Sequence, residues 1–233
     1  MSPMHSRALL WQGARDTLPM MVGAAPFGLI FGTFALAMGL TPVTALAMSV
    51  LVFAGSSQFI AVNLVGAGAA LPVIWLTTFV VNLRHMLYSA TLLPHARGWP
   101  LAWRAPLAFW LTDETFAVVE HRLRTRGAAG GQWYWLGSSL AMYGNWLLWT
   151  LVGVLLGRAV PNLAHWGLDF AMVGTFAAIL APQLKRFPYL AAAVAAGSVA
   201  LWTHGLPYKL DLMVAAAAGI AAGMVCQTGE NAR

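Results

Sequence analysis

An arginine stands in the middle of an apolar stretch, in Asn82-Leu83-Arg84-His85-Met86-Leu87-Tyr88, after 67 residues that hold no Asp, Glu, Lys or Arg. A guanidinium among apolar neighbours is costly unless an acid or water meets it. The next apolar stretch supplies two acids, in Thr112-Asp113-Glu114. If the two stretches run back antiparallel, Arg84 meets Asp113 or Glu114 at similar depth, and a bidentate Arg–carboxylate pair would hold them in register. The same residues support a second chemistry: His85 changes charge near neutral pH, so with Asp113 and Glu114 it forms a candidate proton relay. A buried strut and a relay are both open readings of Arg84.

Two further constellations lie in the charge-free run. Phe53-Ala54-Gly55-Ser56-Ser57-Gln58-Phe59 places three polar side chains in sequence after a glycine. They cannot all hide on one helical face, so either the helix opens there or one face lines a wet cavity. Hydroxyls, an amide and free backbone groups would suit a zwitterionic ligand; the alternative is Ser and Gln side chains bonding within the helix or to a neighbour. Pro26-Phe27-Gly28-Leu29-Ile30-Phe31-Gly32 sets Gly28 and Gly32 four apart, a spacing that lets two helix backbones approach closely, while Pro26 removes a donor one turn earlier. Pro26, Phe27, Gly28, Gly32, Gly55, Ser56, Ser57 and Gln58 are thus candidate substrate-binding residues. Arg84, His85, Asp113 and Glu114 are candidates for coupling or gating.

The elements that must carry these residues are membrane spans. Of 233 residues, 60% are apolar and 9% charged, against about 25% charged in a soluble domain. The charge-free run alone is long enough for two or three spans of about 20 residues. Its first part, Thr17 to Leu40, is too long for a signal peptide and is expected to remain in the mature chain. Backbone groups in lipid must be satisfied internally, and ten-residue alternating strand patterns are absent, so the fold expected is all-α, a polytopic helix bundle. Eight apolar segments are read at 16–38, 43–66, 71–93, 104–120, 133–157, 168–183, 188–203 and 209–227, forming a single transmembrane domain over 1–233. Seven crossings with one re-entrant segment is the alternative. The first, second and sixth segments are expected to be interrupted, at Ala25-Pro26, Gly55 to Gln58 and Ala181-Pro182-Gln183, and interrupted helices point to transport sites. A faint echo of Met21 to Pro26 in Met172 to Ala177 would suit inverted repeats.

With the N-terminus in the cytoplasm, Arg7, Arg15, Arg122, Arg124, Arg126, Lys185, Arg186 and Arg233 fall inside, against Arg97, Arg104, Arg158 and Lys209 outside. That bias follows the positive-inside rule and accounts for the net charge of +6 without nucleic acid. Glu120 with Arg122, Arg124 and Arg126 reads as a solvated loop. Asn145 is positioned to bond a neighbouring helix. The one cysteine, Cys226, cannot form an intramolecular disulfide. No histidine pair has metal-ligand spacing, so no metal, cofactor or catalytic residue is expected.

Taken together, Pro26-Phe27-Gly28 with Phe31-Gly32, Phe53 to Phe59, and Asn82-Leu83-Arg84-His85 with Leu87-Tyr88 resemble the signature of the AzlC family, with similarity continuing through Thr112-Asp113-Glu114 and Ala181-Pro182-Gln183. The resemblance implies the large subunit of a bacterial branched-chain amino-acid exporter in the cytoplasmic membrane, with valine, leucine, isoleucine or in some members methionine as substrate. It also implies a small AzlD-type membrane subunit as partner. No Walker A GxxxxGK[ST] pattern is present, so gradient-driven transport by alternating access, with protons as one candidate for the counter-ion, is the more economical expectation. Phe27, Phe31, Phe53 and Phe59 would then accept the aliphatic side chain. The rival readings are a non-transporting scaffold for a partner and a membrane-embedded enzyme, the latter lacking any GxSxG or HExxH pattern.

Overall fold

A computed structural model describes residues 3–159, 184, 186–204, 206 and 210–231. Among them there is no strand; the chain is all-α. The helices are α1 (Pro3–Asp16), α2 (Leu18–Ala37), α3 (Pro42–Leu51), α4 (Gly55–Gly66), α5 (Leu71–Asn82), α6 (Arg84–Ala96), α7 (Leu101–Phe109), α8 (Asp113–Arg126), α9 (Gly131–Ala159), α10 (Phe187–Trp202) and α11 (Leu210–Asn231). The sixth apolar segment, its expected break at Ala181-Pro182-Gln183 and the repeat echo at Met172 to Ala177 lie outside the described residues.

Two compact units are present, Met1–Phe59 with Thr78–Leu163, and Ile60–Thr77 with Ala164–Arg233. In the first, α9 is the hub: α1, α2, α3, α7 and α8 all pack on it. In the second, α10 and α11 lie side by side, brought together by small residues, so that a Cβ on Gly219 would stand 3.0 Å from the Ala192 carbonyl oxygen.

Two of the described helices, α2 and α9, are individually long and apolar enough to cross a bilayer. Large apolar side chains face outward, with Val22 74% and Trp75 67% exposed. Water would penalise such a surface, whereas lipid tails do not.

The other spans are built differently. The second segment breaks, but just ahead of the expected Gly55 to Gln58, which open α4: the break lies between α3 and α4 at residues 52–54, where Phe53 adopts φ +44°, a conformation rare outside glycine. The third and fourth segments break too, at Leu83 and at residues 110–112, although neither was expected to. At the latter, Thr112 is extended (φ −119°, ψ 176°) and its hydroxyl accepts from the Thr115 N–H, so α8 starts from a side-chain cap.

The first segment corrects the expectation in the other direction. Pro19 lies in the first turn of α2, and α2 continues through Pro26 without interruption. A proline in a helix leaves the preceding turn short of donors. Pro26 takes the ordinary donor from the Val22 carbonyl; Asn145 of α9 donates its side-chain amide to the adjacent Met21 carbonyl at 3.1 Å, tying this stretch of α2 to its neighbour.

Gly28 and Gly32 are what let α9 come so close. A Cβ on Gly32 would collide with the Thr150 carbonyl and the Val154 N–H, and one on Gly153 with the Leu29 carbonyl, so backbone lies on backbone. Residues 122–126 also differ from the solvated loop expected, because α8 runs on to Arg126. Glu120 and Arg124 form an i,i+4 ion pair at 3.2 Å, but Arg122 is buried. Its guanidinium lies 5.5 Å from the Tyr134 ring centroid and donates to the Gly127 carbonyl at 3.2 Å, and the Tyr134 hydroxyl donates to Asp16 at 2.8 Å.

The α2–α9 seam yields a direct prediction. Gly32→Ala should cost about 1–3 kcal/mol, because backbone cannot move aside for the added methyl. Gly23→Ala, where nothing lies within 4 Å of the new Cβ, should be neutral or gain up to about 1 kcal/mol from helix propensity. Thermal unfolding of the two variants in detergent separates these outcomes.

Candidate functional site

Three of the half-helices begin around one guanidinium. Ser56 lies in the first turn of α4, Arg84 opens α6, and Asp113 opens α8. Arg84 Nη1 donates to Asp113 Oδ2 at 2.5 Å, and Nη2 donates to Ser56 Oγ at 2.7 Å. Helix N-termini carry unpaired N–H groups and partial positive charge, so Asp113 and Glu114 are well placed in the first turn of α8. Arg84 is ill placed at the start of α6 by the same rule. Asp113 offsets that cost.

Of the two acids open to Arg84, the structure selects Asp113. The pair is not the bidentate fork expected from the residue types: one guanidinium nitrogen is diverted to Ser56, leaving buried Asp113 Oδ1 and Arg84 Nε without partners. Side-chain exposure is 27% for Arg84 and 44% for Asp113, so the pair is only half sheltered.

His85 is turned to a local task. A carbonyl can only accept, so the 3.0 Å contact between His85 Nδ1 and the Asn82 carbonyl makes Nδ1 the donor. That bond bridges the α5–α6 break. Tyr88, one turn on, meets His85 edge to face at 5.9 Å between centroids and stacks on Phe116 of α8 at 4.6 Å, tying α6 to α8 beside the ion pair.

The three polar residues of α4 divide their roles. Ser56 serves Arg84, while Ser57 is fully buried and returns its hydroxyl to the Ala54 carbonyl at 2.9 Å, capping the break. Gln58, also fully buried, donates to Ser49 Oγ at 3.1 Å, and Ser49 Oγ lies 2.9 Å from Thr150 Oγ1. Gly55 allows α4 to start against the Trp146 ring, which a Cβ would approach to 2.9 Å. Gly28 and Gly32 are occupied by the α2–α9 seam, the packing role that their spacing also allowed.

Pro26 faces an apolar groove of about 600 Å³ formed by one side of α2 with Asn145 and Trp149 of α9. Phe27 is half-buried on the same helix. Phe31, Phe53 and Phe59 do not line an open pocket. They are core: Phe31 and Phe59 pack edge to face at 5.6 Å, and Phe53 meets Tyr143 edge to face at 4.8 Å. Among the described residues no cluster of three His, Cys, Asp or Glu has the geometry to hold a metal.

Sequence reading passed over Ser49, Tyr143 and Thr150. Tyr143 donates its hydroxyl to the Val50 carbonyl at 2.9 Å, satisfying an acceptor at the end of α3. A tyrosine, a serine and a threonine in otherwise apolar helices were the available signal; their partners, about a hundred residues away, were not.

Residues 19–160 match the family described as AzlC protein. An uncharacterized membrane protein of Archaeoglobus fulgidus is 33% identical over 222 residues, covering 93% of this chain and 96% of that protein. Inner membrane protein YgaZ of Escherichia coli is 26% identical, covering 79% and 77%. Branched-chain amino acid transport protein AzlC of Bacillus subtilis is 28% identical, covering 78% and 72%. No solved structure matches. The names of these relatives point to membrane transport rather than catalysis.

If the Arg84–Asp113 contact supports the fold, Arg84→Ala should cost about 1.5–3 kcal/mol, the range for a hydrogen bond to a charged group. Combining it with Asp113→Ala should cost clearly less than the sum of the single variants, because the second substitution removes a carboxylate the first has stranded. A double-mutant cycle on thermal unfolding measures the difference; strict additivity would mean that the two side chains do not act on each other.

Proposed function

We propose that this chain, which belongs to the AzlC family, is the large subunit of an exporter of branched-chain and similar small apolar amino acids, methionine among them. The transport is gradient-driven, across the bacterial cytoplasmic membrane. The protein has no catalytic role in this reading. The N-terminus is cytoplasmic in this reading, the orientation that the Lys and Arg bias favours, and a small AzlD-type membrane subunit completes the transporter. The name of the Bacillus subtilis relative is what brings branched-chain amino acids to this chain.

One observation carries the reading: three helix breaks in an apolar protein bring three N-termini to one ion pair. Free N–H groups at helix starts suit a carboxylate, and interrupted helices are where transporters hold charged substrates in the membrane. The ammonium group of an amino acid would take the acids of α8. Ser56 and Arg84 would orient the carboxylate end, with Gly55 and Ser57 shaping the α4 start. Arg84 and Asp113 form the gate. His85 and Glu114 exchange protons with the aqueous phase as it opens, so that proton entry drives amino-acid exit.

The test is efflux of preloaded radiolabelled valine from proteoliposomes holding this chain and its small partner under an imposed pH gradient. Efflux should rise with inward proton force, and Glu114→Gln should abolish that response while valine still raises the melting temperature of the variant. Absence of efflux of any branched-chain amino acid or methionine, with the partner present and gradients of either sign, would reject the exporter.

A further inference from the structure

We propose that Ser49, Gln58 and Thr150 form a binding site for a small monovalent cation, of which sodium is the type. The three side chains come from α3, α4 and α9 and are each fully buried. Ser49 Oγ stands 2.9 Å from Thr150 Oγ1 and 3.1 Å from the Gln58 amide nitrogen. Gln58 Oε1 is buried and receives no donor. A half-turn of the terminal amide exchanges its oxygen and nitrogen at little steric cost, and places Oε1 beside Ser49 Oγ, which itself meets Thr150 Oγ1.

The end of α3 leaves one further oxygen without its ordinary helical donor. At the end of α3 both Val52 and Phe53 donate to the Met48 carbonyl, at 2.9 and 3.3 Å. The Phe53 N–H thereby passes over Ser49, whose carbonyl loses its ordinary helical donor. Unwound carbonyls of this kind coordinate ions within membranes.

The chemistry of the set selects the ligand. Hydroxyl, amide and carbonyl oxygens are hard donors, so a soft transition metal is disfavoured. With no carboxylate among them, magnesium and calcium lose the charge they ordinarily require. None of these groups titrates near neutral pH, so the cluster cannot carry a proton. Hydroxyl oxygens 2.9 Å apart, with the Gln58 amide 3.1 Å from one of them, suit a compact ion better than potassium. The ion would sit against the α3–α4 break and brace the turn from which Ser56 reaches Arg84. This site goes beyond the exporter reading, and its detection needs no amino acid.

The experiment is binding of radioactive sodium to the purified full chain in detergent, with thermal unfolding followed as sodium chloride replaces N-methylglucamine chloride at constant ionic strength. Saturable binding is expected, with a melting temperature that rises with sodium, as for any ligand of the folded state, and not with potassium. Thr150→Val and Gln58→Met should lose both signals, and Thr150→Ser, which keeps the hydroxyl, should retain them. Should Gln58→Met fail to fold, Ser49→Ala takes its place. No saturable sodium binding by the wild-type chain, or undiminished binding in folded Thr150→Val, overturns the site. Sodium binding without valine efflux leaves the site standing while the exporter reading falls; the reverse result rejects the site alone.

Discussion

Every backbone N–H and C=O inside hydrocarbon must find a partner within the protein, and in this chain that demand falls on one helix. An unbroken helix meets it alone. The first unit contains three breaks and three internal prolines, and α9 meets the α3–α4 break and the approach to Pro26 through side chains within two turns of each other. Tyr143 takes the Val50 carbonyl, Asn145 takes the Met21 carbonyl beside Pro26, and Thr150 holds Ser49. The Trp146 ring meanwhile fixes how closely α4 can begin. Irregular backbone is thereby permitted at membrane depth, and irregular backbone is what a transport site needs. The strained Phe53, at φ +44°, persists for the same reason: its ring is locked against Tyr143, and such conformations survive where their surroundings over-determine them.

The remaining two breaks are met locally and by charge. Thr112 caps α8, and His85 bridges the α5–α6 break through the Asn82 carbonyl. Arg84 then binds the starts of all three half-helices, using one nitrogen for an acid and one for a hydroxyl. A fully bidentate pair would lock α6 to α8 alone. Splitting the fork brings α4 into the same contact, at the expense of a weaker grip on either neighbour.

What the amino-acid sequence made legible follows from where physics is local. Arg84 in a charge-free stretch demanded an acid, and the antiparallel return of the next segment supplied one, so the Arg84–Asp113 contact was within reach of residue types and spacing. The choice of Asp113 over Glu114 was not, because adjacent residues in a first turn differ in direction by a rotation that only the α8 cap sets. Gly55 followed by three polar residues announced the α3–α4 break. Leu83 and residues 110–112 carry no glycine or proline, and their breaks depend on caps and neighbours. Pro26 misled in the opposite sense: α2 runs on through it while packed on α9, whose Asn145 bonds the Met21 carbonyl from 124 residues away. Arg122 looked solvated because its burial requires Tyr134 on another helix.

Gly28, Gly32 and Gly153 place the backbones of α2 and α9 in direct contact, and this limits how the protein can move. A seam of interlocked backbone has no soft side chains to yield, so a slide of one residue along it would drive Leu29 or Phe31 into the space only a hydrogen now fills. These two helices therefore move as one piece. On the proposed exporter reading, the rearrangement that opens the protein to each side of the membrane falls to the short halves, α4, α6 and α8, pivoting at the breaks between them and their partners.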